Sequence, residues 1–280
     1  MTVATASLSH DPDAIEIRPL TPVIGAEIFG VDLTRPLTTR QVEALKAALI
    51  EHLVIFFRDQ PLDFEAHKAL ARHFGEPHIA PSTAAWRVPG HPEITRLHAD
   101  ADSKHVAGED WHSDMTCDPE PPMGSILYLH TMPESGGDTV FANMYAAYDA
   151  LSDGMKAYLG GLTATHDGAR VFGAISPPGS VFPVSTHPVI RTHPVSGRNA
   201  LFVNKQFTAK IDGLPGDEGD YLLRFLVQHA QRPEFQCRFR WRPHSIAFWD
   251  NRAAQHSAIW DYFPQTRSGY RLQIKGDKPF

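Results

Sequence analysis

Cysteine is nearly absent from this chain of 280 residues: there are two, Cys117 and Cys237, far apart and in no CxxC pair. Such usage argues against a disulfide framework or a thiolate zinc site, and reads as reduced thiols in a cytoplasmic protein. No run of about 18 or more apolar residues is present, so no helical membrane span is expected. The opening MTVATASLSHDPDAIEIRPL has no basic n-region and no apolar h-region, so no signal peptide is expected. A basic stripe is missing as well. The net charge of −6 is mild and spread along the chain, which argues against nucleic acid as a partner. There is no internal repeat, and no GxGxxG follows a strand-like run, which leaves dinucleotide-binding folds without support.

What remains is an ordinary globular composition with ample apolar and aromatic residues for a core. A single catalytic domain over residues 1–280 is expected, with residues 1–14 as a flexible lead-in. Thr38 to Leu53 reads as an amphipathic helix. Leu45, Leu49 and Leu53 share a face, and Thr38 with Gln41 can form a capping box. LVIFF (53–57) suits a buried strand. Asp63 can cap a second helix that runs through Phe74 and ends at Gly75. Residues 78–109 are irregular and read as a long functional or mobile loop. Beyond Trp111 come short strand-like runs: SILYLH (125–130), TVFANM (139–144), ALFVN (200–204), FQCRFRW (235–241), SIAFWD (245–250) and YRLQIK (270–275). Helices are expected around Met144 to Leu159 and Asp217 to Ala230. The pattern predicts a mainly β fold with flanking helices, a sandwich or barrel of jelly-roll type.

The chemistry-bearing feature is the triplet His112-Ser113-Asp114. On a strand, positions i and i+2 face the same way, so His112 and Asp114 can reach one ion. Two imidazoles and one carboxylate form the facial set that binds Fe(II) with positions left open. The second His must come from elsewhere. His256 follows the apolar strand SIAFWD, but His166, His193 and His244 are equally strand-associated and spacing alone does not choose among them. Arg267 and Arg271 lie shortly downstream at an even separation, on one face if the segment is a strand. Arginine offers a planar two-donor fork for a carboxylate and stays charged. A surface salt bridge is the ordinary use of either.

Several segments together resemble the taurine dioxygenase family (TauD/TfdA-type), whose members depend on Fe(II) and 2-oxoglutarate. They are GAEIFGVDLTRPLT (25–38), ALARHFGEPHI (69–79), WHSDMT (111–116), SGGDTVF (135–141), HPVIRTHPVSGRNALFVN (187–204) and DNRAAQHSAIWDYFPQTRSGYRLQIKGDKPF (250–280), in family order over nearly the whole chain. The resemblance implies a double-stranded β-helix, the jelly roll. It implies Fe(II) on His112, Asp114 and His256, with 2-oxoglutarate as co-substrate on Thr139 and Arg267. Arg271 matches the arginine that faces an anionic head group, while Phe172, Phe207, Met115 and Val171 match the walls of the substrate site. The implied reaction consumes O2 and a small-molecule substrate, releases succinate and CO2, and hydroxylates a C–H bond. Halogenating relatives lack the carboxylate ligand, so Asp114 favours hydroxylation. The family also implies a homo-oligomer, a dimer or tetramer.

Around that site the chain departs from the taurine enzyme. Ala80 stands where that enzyme has a His against the sulfonate, and Thr83 replaces a nearby aromatic. Ala107 and Gly108 replace an acid and an amide before the Trp-His motif. Val171 replaces a Ser, and Cys117 an aromatic. The 167–187 segment is shorter and rich in Pro and Gly. The groups that would read an ammonium are gone, while Arg271 keeps a positive charge. The expected substrate is therefore an anion with a less polar body: an alkyl or aryl sulfonate, a sulfate ester or a carboxylic acid. The competing readings are taurine dioxygenase proper, a non-catalytic cupin-like binding module, and a zinc hydrolase using the same three ligands.

Overall fold

The structure, a computed structural model, describes residues 14–280; all but Ala14 of the expected lead-in lies outside the described residues. Its largest sheet is eight-stranded among the described residues. Its centre is formed by Val54–Phe57, Ser245–Asp250, Gly124–Thr131 and Arg267–Ile274, in that order. Facing it is a three-stranded sheet of Gln236–Phe239, Thr139–Asn143 and Ala254–Ala258. A second three-stranded sheet joins Thr208–Ile211, Thr163–Asp167 and Val184–Pro188. Two sheets closing over one core, with helices outside, make the jelly roll.

The continuous apolar runs are explained by burial on both faces. In Val54–Phe57 and Ser245–Asp250, alternate residues point opposite ways. Val54, Phe56, Ala247 and Trp249 join Leu127, Leu129 and Phe141 between the sheets. Ile55, Phe57, Ile246 and Phe248 join Leu45, Leu49 and Leu70 beneath the two N-terminal helices. The first of these helices, Thr39–His52, has the capping box at its start: Thr38 Oγ1 accepts from Gln41 N, and Gln41 Oε1 accepts from Thr38 N. Leu53, placed in the helix by its periodicity, instead ends it in a left-handed conformation (φ 62°). Asp63 caps the second helix as anticipated, but that helix stops at Arg72, before Phe74.

Three expectations need correction. The stretch 78–109 is not one long loop. It contains the nine-residue strand His91–Ala99, paired antiparallel with Arg267–Ile274. Its polar residues hid it: Arg96 and His98 face solvent while Ile94 and Ala99 are buried. The Met144–Leu159 region is two helices, Met144–Asp149 and Asp153–Leu159, because Ser152 caps a fresh start through Met155 N. In ALFVN only Ala200 and Leu201 are on a strand (Asn199–Leu201). Asn204 then turns the chain by accepting a bond from Phe207 N at 2.8 Å.

His67 illustrates the cost of this dense packing. Its ring is buried and bonded through Nε2 to Ile126 O at 3.1 Å, and burial lowers its pKa to about 4. The folded value lies below the unfolded one, about 6.5, so the unfolded state binds the extra proton in that window. Stability should therefore fall as pH drops from about 6.5 towards 4, by up to about 1.4 kcal/mol per unit for this group. Urea unfolding at pH 7.5 and pH 5 should show a loss smaller by roughly 1–2 kcal/mol in His67→Gln, which keeps a donor; equal losses would contradict this.

Candidate metal and co-substrate site

One end of the inter-sheet core is polar. There His112 and His256 exchange backbone bonds, His112 N to His256 O at 3.0 Å and His256 N to His112 O at 2.8 Å, with His256 on the strand Ala254–Ala258 and His112 in an isolated bridge outside any strand. The bridge brings the two imidazoles to 4.1 Å between ring centres. Asp114 leaves this bridge in a turn, followed by Met115 at φ 51°. The ligand atoms of His112, Asp114 and His256 all lie within 4.8 Å of one another, and all three residues are buried. Among the described residues they are the one such trio. The other histidines left open by spacing are used elsewhere. His166 bonds Thr116 Oγ1, His193 pairs with Asp250, and His244 bonds the Tyr128 hydroxyl.

The donor set fits a divalent cation. His112 Nδ1–H donates to Asp110 O at 2.7 Å, which turns Nε2 toward Asp114, 3.4 Å from its Oδ1. A backbone acceptor of this kind fixes the tautomer of a ligating imidazole. Burial, reinforced by His112, holds His256 well below the usual imidazole range, so it is neutral. Burial alone would push Asp114 up; the Arg271 guanidinium, with His112 and His256, instead holds it well below the usual carboxylate range. The site thus presents two imidazoles and one carboxylate.

Asp114 is also oriented. Ser125 Oγ donates to its Oδ2 at 2.6 Å, and Asn251 Nδ2 supports Ser125 at 3.0 Å. Asn251 Oδ1 accepts from Asp114 N (3.1 Å) and from Trp249 Nε1 (2.9 Å). With Oδ2 taken, Oδ1 is the oxygen turned to the imidazoles, and Arg271 Nη1 donates to it at 2.9 Å. The motif reading did not find Ser125 or Asn251. Their only trace in the sequence is a lone hydroxyl in the apolar run SILYLH and an amide directly after SIAFWD.

Arg267 enters the same cavity, which is also lined by Thr139, Leu97, Leu127 and Trp249. Its guanidinium is buried; Nε donates to Gly137 O at 3.1 Å and Nη2 to Thr139 Oγ1 at 3.3 Å. No carboxylate lies in salt-bridge range of it among the described residues. Burial pulls its pKa down to about 10, still charged near neutral pH. Thr139 Oγ1 already accepts from Arg267 and from Trp241 Nε1 (2.9 Å), so its own proton is free to donate. The two arginines share the cavity across a local register shift between Ser268 and Gly269. A side chain at Gly269 would collide with Tyr128 O, 2.0 Å from an ideal Cβ, so only glycine lets these strands close.

The remaining predicted residues form a wall. Met115, Phe172 and Phe207 are buried together with Ala80 and Cys117, and Val171 and Phe182 pack against them. The Phe207 ring lies 6.3 Å from that of His112. Thr83 turns its hydroxyl to its own turn, donating to Ala80 O, and Ala107 and Gly108 line the metal-side cavity. Both cysteines are free and buried, and burial pushes the Cys237 thiol up to about 12.

Comparison with known proteins bears on the family and the fold. Residues 16–273 match the taurine catabolism dioxygenase TauD, TfdA family. An alpha-ketoglutarate-dependent sulfate ester dioxygenase of Pseudomonas putida is 34% identical, over 99% of this chain and 95% of that protein. A taurine dioxygenase structure from Burkholderia xenovorans superposes with a TM-score of 0.83 at 40% identity, covering 95% of this chain and 90% of that one. The structure of AAD-2 in complex with Mn(II) and N-oxalylglycine gives 0.80 at 30% identity, covering 95% and 99%. No helix among the described residues is long and apolar enough to cross a membrane.

Ser125→Ala removes the bond that occupies Asp114 Oδ2. Loss of such support typically weakens metal binding about 10–100-fold. A Co(II) titration followed by absorbance should show a Kd raised about tenfold or more; a Kd within twofold of wild type would mean that Ser125 does not hold the carboxylate.

Proposed function

From the premise that this chain belongs to the TauD, TfdA family of dioxygenases, we propose that His112, Asp114 and His256 hold Fe(II) and that Arg267 and Thr139 seat 2-oxoglutarate. The chain is a 2-oxoglutarate-dependent dioxygenase with a jelly-roll fold. The observation that carries the assignment of residues is the buried guanidinium of Arg267, with no carboxylate in salt-bridge range among the described residues. A buried cation left unpaired is expensive, and a dicarboxylate whose far end reaches Arg267 supplies the missing charge. Thr139, with its acceptor capacity used, donates its proton to the same carboxylate.

Iron held by this trio supplies the activation of O2 that couples decarboxylation of 2-oxoglutarate to hydroxylation of a substrate C–H, giving succinate and CO2. The protein's contribution is placement and exclusion of water. Trp249, Leu97 and Leu127 keep the cavity apolar between its charged ends. Ser125 and Asn251 keep Asp114 turned to one side. Arg271 presents its guanidinium beside the metal ligands, where an anionic head group would be drawn.

The substrate we assign is a small organic anion with a body less polar than taurine: an alkyl or aryl sulfonate, a sulfate ester or a carboxylic acid. Support comes from Arg271, from the apolar wall of Met115, Phe172 and Phe207, and from the sulfate ester dioxygenase among the relatives. It also comes from Ala80 and Val171, which have no polar side-chain group for an ammonium, and from Thr83, whose hydroxyl is bonded to Ala80 O. Hydroxylation next to a sulfonate or ester oxygen would make the product collapse, releasing sulfite or sulfate.

Arg267→Ala should raise the KM for 2-oxoglutarate by about 30-fold or more, since one partner of a buried charged pair is worth about 2–5 kcal/mol. A wild-type KM in succinate-release assays would place the co-substrate elsewhere. Asp114→Ala and His256→Ala should each abolish succinate release, and unchanged release would remove them from the metal site.

A further inference from the structure

A second, larger cavity opens beyond the apolar wall. It is a groove between residues 78–82 on one side and 181–183 on the other, with about 1140 Å³ of space, part of it open to solvent. We infer that this groove receives the hydrocarbon tail of the substrate whose anionic head is held at Arg271, so that the enzyme is selective for elongated amphiphilic anions. The inference rests on the assignment of the metal, co-substrate and anion sites above, and adds the part of the substrate that they do not reach.

Continuity is the first reason. A row of aromatic rings leads from the metal ligands to the groove in three steps of similar length. The His112 and Phe207 rings are 6.3 Å apart, Phe207 and Phe172 6.2 Å, and Phe172 and Phe182 6.0 Å. Phe182 itself lines the groove, as does Ala80, which is packed in the same cluster as Met115 next to Asp114. Ala80 offers the smallest side chain of that cluster.

The surface chemistry is the second reason. The rim carries apolar side chains in water: Val181 is 93% exposed and Ile79 46%. His78, Asp118 and Lys275, which line the groove, are paired, while Glu120 lines it as an exposed carboxylate with no ion pair among the described residues. His78 Nε2 lies 2.9 Å from Asp118 Oδ2, and Lys275 Nζ 2.7 Å from Glu76 Oε2. A groove with apolar lips and a free carboxylate favours an uncharged, flexible tail over a second anionic group.

The test uses the whole protein with Mn(II) and 2-oxoglutarate in the absence of oxygen, so that binding is read without turnover. Calorimetric Kd values are measured for straight-chain alkanesulfonates of two to eight carbons, and in parallel for the matching carboxylates. Burial of each methylene predicts a Kd that falls about fourfold per carbon along the middle of at least one series. In Ala80→Phe and in Val181→Asp this slope should flatten, the second variant altering only an exposed position. A flat wild-type series with 2-oxoglutarate bound would overturn the inference and leave the site assignment standing. The same holds if both variants keep the wild-type slope while Val181→Asp alters self-association, which would assign the groove to a second copy of the chain. Failure of 2-oxoglutarate itself to bind would overturn both.

Discussion

A buried guanidinium with no carboxylate in salt-bridge range among the described residues is the constraint around which this site is arranged. Arg267 is fixed by a carbonyl and a hydroxyl, both neutral, at the start of a central strand of the large sheet. An isolated charge in such a place destabilises the fold unless something compensates it. Native proteins carry that kind of cost at functional positions, where a ligand removes it. Thr139, facing Arg267 from the opposite sheet, has its acceptor sites filled and one donor to spare. The two residues come from strands that are far apart in sequence, and the jelly roll is what brings them to one cavity.

The charges at the other end of the cavity are balanced differently. Asp114 is ionised despite its burial because Arg271 and two imidazoles face it. Ser125 and Asn251 settle which oxygen is presented, and Asn251 also receives Trp249, so one amide ties the ligand turn, the large sheet and the aromatic core together. Between the two ends the walls are apolar, which strengthens every electrostatic contact inside. A dicarboxylate across the cavity and an organic anion beside the metal ligands are the ligands that this distribution of charge suits.

Much of this was legible in the sequence. The capping box at Thr38, the doubly apolar strands 54–57 and 245–250, and the His112-x-Asp114 motif all speak through local chemistry. Family resemblance singled out His256, Thr139 and Arg267, where spacing alone left four histidines open. The strand at 91–99 was not legible, because half of it faces solvent and its polar residues mask the period. Ser125 and Asn251 escaped because a lone polar residue at a strand end has no sequence signature; only the fold shows that they meet at Asp114. The groove between 78–82 and 181–183 arises from two irregular segments far apart in the chain, and no pattern in either segment points to the other.

The central claim is that one cavity binds Fe(II) through His112, Asp114 and His256 and 2-oxoglutarate through Arg267. The most direct measurement is the visible absorption spectrum of the oxygen-free protein as Fe(II) and 2-oxoglutarate are added in turn. A chelate of the keto acid on iron absorbs weakly in the visible, so a band should appear only when both are present and saturate at one equivalent of each. No band with both present, or the same spectrum when Zn(II) replaces Fe(II), would contradict the account.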